Sequence, residues 1–226
     1  MTPLEKSLGT IAIIVTESMR IFPDSLVMGT GIYALLTQSM AYGVFFMSLI
    51  ETSLIYILIR TFANYVNVSG RFEPTLSSHS EKCRSGFTIP SAGLDSLYTF
   101  GKSPSGIAFP SAPLFMLSSA SAYIFTTLQK QKQELEALGP AYATRYYVSA
   151  FFLLMIICVF IGFRFSLGCE SVPMLILSSV LGLITGTLLV TQNVRLFGAQ
   201  SINLIGIPLL SNRTVSGSNL YVCPTK

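Results

Sequence analysis

The chain has 226 residues, 51% hydrophobic and 11% charged, with a formal net charge of +4 and a mean hydropathy of +0.63. Soluble domains carry about 25% charged residues, so there is too little charge here to cover a water-facing surface. This excludes a soluble enzyme, a disordered tail, a coiled coil and a nucleic-acid binder, and leaves an integral, multi-pass membrane protein.

Thr2, Pro3 and Glu5 stand at N-cap, N1 and N3 of a predicted helix, a capping-box arrangement. Leu4, Leu8, Ile11, Val15, Met19 and Phe22 fall on one face of it, with Glu5, Glu17 and Arg20 off that face. The spacing predicts an amphipathic helix over residues 1–23 that lies along a membrane or a neighbouring subunit. Its apolar run, about ten residues between charges, does not make a signal peptide.

Residues 24–195 form the predicted transmembrane domain. A bilayer crossing needs about 20 apolar residues. Ser25 to Ile50 carries no charge, and after Glu51 the apolar run resumes to Ile59. That stretch reads as one long helix from Asp24 to Tyr65, with a break into two near Gly43 as the alternative. On the single-helix reading Glu51 sits near one interface or faces a protein neighbour, because a carboxylate facing lipid is costly. A polar loop follows at 66–102, rich in Ser, Gly and Pro, of a length that often carries function. Further helices are predicted from near Ser111 to Leu135, over Tyr146 to Phe163, and over Ser171 to Val194, with Gly139 and Pro140 as a break. Gly, Ala and Ser are frequent in Ser111–Tyr123 and Ser171–Thr187, so these two helices are expected at the centre of the bundle. Tyr146 and Tyr147 fall where an interfacial aromatic belt belongs. Residues 196–226 read as an apolar interfacial or partner-facing tail. The predicted fold is therefore all-α: a polytopic helical bundle of about four transmembrane helices, five or six at most, plus the N-terminal helix.

Lys130, Lys132 and Arg195 place their end of the bundle on the cytoplasmic side or its organellar equivalent. Arg71, Lys82, Arg84 and Lys102 in the long loop oppose that assignment. Asn67 to Ser69 and Asn212 to Thr214 match glycosylation acceptors, a pattern that arises often by chance. Cys83, Cys158, Cys169 and Cys223 form no CxxC pair and His79 is the single histidine, so no metal site and no cofactor are expected. Cys158 reads as a small membrane-core residue and the others as ordinary thiols.

Three places are chemically notable. Lys82 and Arg84 precede Pro90; Pro110, Ser111, Ala112 and Pro113 open one span; Arg164 ends another, with Glu170 just before the next. All three fall on one membrane side, two of them at helix N-termini, where free N–H groups favour an anion. Cations and serines of this kind also flank spans and cap helices with no ligand, so the residues alone leave both readings open.

Their order and spacing resemble the membrane-bound type 2 phosphatidic acid phosphatases, whose pattern is K-x6-R-P, then P-S-G-H, then S-R-x5-H-x3-D. Lys82 is followed after six residues by Ile89 and Pro90, which matches the first motif with its arginine lost. Phe109 to Pro113 matches the second with proline in place of histidine. Phe163 and Arg164 are followed after five residues by Glu170, where the family has its nucleophilic histidine, and then by Met174 in place of the aspartate. Phe165 to Gly168 and Gly182 also look like that segment of the family. The resemblance covers about residues 80 to 190.

The resemblance implies a lost chemistry. The family attacks a phosphate ester with one histidine and protonates the leaving oxygen with another, while cations and a serine hold the phosphate. Neither proline nor methionine can take those parts, so no catalytic residue remains and a pseudoenzyme is expected. Lys82, Ser111, Arg164 and Glu170 are left as a remnant phosphate or lipid-headgroup site. In one version Glu170 replaces the phosphate, pairing with Arg164 or Lys82; in another the pocket still binds a headgroup. The same resemblance sets Cys83 and Cys169 beside the pocket, either as a disulfide or as two thiols. The expected function is a non-catalytic membrane subunit acting structurally in a larger organellar or viral membrane assembly, with other membrane subunits and phospholipids as partners. A divergent lipid phosphatase and a small transporter or channel are the alternatives.

Overall fold

The computed structural model describes residues 3–66, 109–137 and 140–204. Among these every regular element is helical: α1 (Pro3–Thr37), α2 (Met40–Tyr65), α3 (Ala112–Lys130), α4 (Lys132–Ala137), α5 (Pro140–Ser166) and α6 (Val172–Phe197), closed by a 3-10 turn at Ala199–Ile202. Three stretches are long and apolar enough to cross a membrane, Met40–Ala63, Tyr146–Ser166 and Val172–Phe197, and Ile21–Thr37 is a shorter apolar helix. The protein is a membrane-embedded helical bundle, as its composition requires.

The packing centres on α3 and α6, the pair expected to lie there. They run parallel and touch along most of their length. The reason is residue size. A Cβ on Gly182 would lie 2.5 Å from the Phe115 carbonyl oxygen, and one on Gly186 would run into the carbonyl of Ser119. With Ser118, Ser119 and Ala122 opposite these glycines, the backbones approach as small residues allow in lipid, where apolar attraction between helices is weak. α3 is the most enclosed element, every residue from Pro113 to Tyr123 being buried. Its serines can therefore sit inside the bundle rather than against hydrocarbon.

α2 crosses α3 in the opposite sense, and hydrogen bonds between their hydroxyls and an amide of α6 mark the crossing. Asn193 Nδ2 donates to Ser48 Oγ at 2.7 Å and to the Tyr123 hydroxyl at 3.1 Å. Thr52 Oγ1 and Ser119 Oγ lie 3.1 Å apart. Around them Phe45, Leu49, Met116, Val190 and Ile202 form the largest apolar cluster.

The expected single helix over 24–65 is corrected. The chain turns at Gln38 and Ser39, where Gln38 takes a left-handed conformation (φ 51°), and α1 and α2 pack as a hairpin. Thr37, Gln38 and Ser39 are polar enough to end a helix without any charge, and the Tyr33 and Tyr42 rings meet across the turn at 4.5 Å. The N-terminal helix does not stop at residue 23 either: α1 continues through Pro23 to Thr37. Met19 and Phe22 pack against Leu114, Leu117, Phe160 and Leu175, whereas Val15 remains exposed. The helix expected to end at Leu135 is divided at Gln131 into α3 and α4.

The start of the apolar tail is also corrected, for residues up to 204. Ile202 is buried in the main cluster rather than offered to a partner. Gln131 Nε2 donates to its carbonyl at 3.1 Å, and the Tyr42 hydroxyl donates to the carbonyl of Leu204 at 2.9 Å. Residues 205–226 and the polar loop from 67 to 108 lie outside the described residues. Cys158 is an exposed free thiol within the apolar Tyr146–Ser166 stretch of α5.

Candidate functional site at the Ser111 end

α3 and α6 begin at the same end of the bundle, where α5 finishes. Proline in the first turn helps to set both starts: Pro113 and Pro173 occupy positions whose N–H groups would have no helical acceptor. The preceding residues, Ser111 and Ser171, are extended. Neither hydroxyl caps its own helix. The Ser111 backbone N–H donates instead to Ser178 Oγ at 2.8 Å, and that hydroxyl donates to the Met174 carbonyl at 2.7 Å. The first turns of α3 and α6 are thereby tied together.

Arg164 lies in the last turn of α5. α5 ends at Ser166, and Gly168 follows in a left-handed conformation (φ 66°), which reverses the chain toward α6. The reversal brings Glu170 back to Arg164, and Nη2 of the arginine donates to Oε1 of the glutamate. Both side chains are 8% exposed. At that burial the carboxylate makes the guanidinium tolerable, since either charge alone would be strongly destabilising.

Among the described residues, Ser111 Oγ, Ser171 Oγ and Glu170 Oε2 are buried with no hydrogen-bond partner. Such atoms are few in a folded protein, and a bound water or ion is one explanation for them. The neighbouring side chains at this end are apolar. Met174 is buried with Phe109, Ala63 and Leu181, and Leu114 with Phe160 and Leu175.

Of the residues read as a remnant site, the structure joins Arg164 to Glu170 and sets Ser111 at the same end of the bundle. Lys82 and the segment with Ile89 and Pro90 lie outside the described residues. Cys169 is buried beside Glu170 and is disulfide-bonded, a correction to its reading as an ordinary thiol. Its partner, like the expected neighbour Cys83, lies outside the described residues. No group of three or more His, Cys, Asp or Glu side chains that could hold a metal occurs among the described residues.

Glu51, expected near one interface or facing a protein neighbour, is half-buried. It falls in the middle of the Met40–Ala63 span, not near an interface as a single long helix would have it, because the turn at Gln38 resets the register of the crossing. Its Oε2 is buried with no hydrogen-bond partner, on the same helix as Ser48 and Thr52 of the hydroxyl network. A lone carboxylate in an apolar run was the available signal.

Comparisons of the chain with protein-family models, curated proteins and solved structures find no match.

Proposed function

We propose that the chain is a non-catalytic integral membrane subunit on a phosphatidic-acid-phosphatase-like scaffold, acting structurally in a larger membrane assembly and able to hold a phospholipid headgroup at its Ser111 end. The observation that carries this reading is the buried pairing of Arg164 with Glu170. A cation that would clamp a phosphate is held by an internal carboxylate at the position where the family has its nucleophile. Pro113 has no proton to give, and Met174 sits in an apolar cluster where no imidazole needs orienting. The unpartnered hydroxyls of Ser111 and Ser171, at two helix N-termini, support headgroup binding beside that pair.

The test is to incubate the purified chain with phosphatidate vesicles and measure both retention and phosphate release. The reading expects phosphatidate retained, retention reduced in Arg164→Ala, and no phosphate released. Phosphate release abolished by Glu170→Gln would replace it with a divergent lipid phosphatase.

A second reading, a small transporter or channel, is favoured by Glu51 alone. An intramembrane carboxylate inside a bundle commonly marks an ion path. Ion flux into liposomes that disappears in Glu51→Gln would establish that reading; the absence of flux would remove it.

A further inference from the structure

A cavity lies beside the second half of α3. It occupies about 420 Å³ between α3, α5 and α6 and is lined by residues including Phe125, Thr126, Phe151, Leu154, Leu183 and Thr187. That volume is within the usual range for a small-molecule site, about 300–1,000 Å³.

The cavity follows from how α5 is held. Near its C-terminus Phe160 packs with Leu114, Leu117 and Leu175. Near its N-terminus Tyr146 packs over Leu128 and Leu135, with the Phe125 ring 6.1 Å from its own. Between these two anchors the facing positions are Ser121, Ala122 and Ala150, too small to fill the gap. α5 therefore stands away from α6 over its middle turns.

Both α5 and α6 contain span-length apolar stretches, so the cavity opens sideways into hydrocarbon. Two of the three hydroxyls in its lining are engaged: Thr187 Oγ1 donates to the Leu183 carbonyl at 2.9 Å, and Thr126 Oγ1 reaches Thr187 Oγ1 at 3.5 Å, which leaves Ser121. Ordered water needs two to four polar partners, more than the one remaining serine hydroxyl supplies. An apolar chain suits the lining.

The charge at its mouth narrows the occupant further. Lys130 lies four residues beyond Thr126, on the same helix face and about 6 Å further along the axis. It is exposed and forms no ion pair among the described residues. Arg195 stands exposed in the last turn of α6 at the same end. Lys132 is already committed, 3.7 Å from Glu136 and over the Tyr146 and Tyr147 rings. Tyr147 first, then Glu136, holds its ammonium above the usual lysine range.

We propose that this groove seats an acyl chain of an anionic phospholipid, with the lipid phosphate at Lys130 and Arg195. The groove is distinct from the Ser111 end, since 19 residues of helix put Lys130 about 28 Å away, and it does not depend on any relation to a phosphatase.

The chain has no tryptophan, so Leu154→Trp in the full-length protein provides a single reporter in the groove. Its fluorescence is titrated in mixed micelles with phosphatidylglycerol or phosphatidylcholine carrying brominated acyl chains. Half-quenching is expected at an about fivefold lower fraction of phosphatidylglycerol, the preference one surface lysine confers. Lys130→Gln in the same background should reduce that difference, and Lys130→Gln with Arg195→Gln should remove it. Leu188→Trp, on the outer face of α6, should show none and also checks that the reporter variants fold. Equal quenching by the two lipids at Leu154→Trp, or a preference that survives Lys130→Gln with Arg195→Gln, would overturn the assignment.

Discussion

Arg164 donates to the carboxylate of Glu170, six positions later in the chain, with both side chains almost fully enclosed. The two residues bracket the turn between α5 and α6, so their attraction fixes the angle at which α6 re-enters the bundle. Glu170→Ala should therefore lower thermal stability in detergent, by about 3–5 kcal/mol if the guanidinium stays buried. The double variant Arg164→Leu, Glu170→Leu should recover most of the loss, because a buried pair and its apolar replacement are often equivalent. A melting temperature unchanged in Glu170→Ala would mean that the pair does not hold the turn.

The approach of α3 to α6 is set at Gly186. Gly186→Ala drives a methyl group into the Ser119 carbonyl and should cost about 1–3 kcal/mol through overpacking. Gly162→Ala is the control, because a Cβ there meets nothing within 4 Å. Comparing the two melting curves separates close packing from the general effect of replacing a helical glycine.

Asn193 is the amide that links α6 to both α2 and α3. Asn193→Leu removes its bonds to Ser48 and Tyr123. Hydrogen bonds between membrane helices average about 0.6 kcal/mol, so a loss of about 1 kcal/mol is expected. Thr61→Val, whose hydroxyl bonds only to Ile57 of its own helix, should stay within about 0.5 kcal/mol of the parent.

Cys169 should resist alkylation in denaturing detergent until a reductant is added, while Cys158 reacts without one. Peptide mapping by mass spectrometry reads both sites in one digest. Labelling of Cys169 before reduction would show that the bond does not form.

The apolar spans were legible because hydropathy over twenty residues is a collective signal. The central pair was legible too: Ser118, Ser119, Gly182 and Gly186 are small in register, and only close helix packing in lipid makes use of that. The turn after α1 was not, since Thr37, Gln38 and Ser39 carry no charge, glycine or proline. The hydroxyl of Thr37 bonds to Tyr33 of its own helix, so three polar residues were the turn's one mark in composition, and a weak one. The depth of Glu51 was not legible for the same reason, because a residue's depth depends on where the crossing begins. The pairing of Arg164 with Glu170 was anticipated from motif order, whereas Cys169 carried no local sign that it would be bonded.

The bonds that Gln131 and Tyr42 make to the segment after α6 have a consequence for biosynthesis. Tyr42 donates to a carbonyl 162 residues downstream. At translation rates of about 5–20 residues per second, its acceptor emerges roughly 8–32 s later. Throughout that interval the lower end of the α1–α2 hairpin has neither its hydrogen bond nor Ile202 as a lid. The first hairpin must wait in the membrane, open at this end, until the last helix has been inserted, so this end of the bundle closes late.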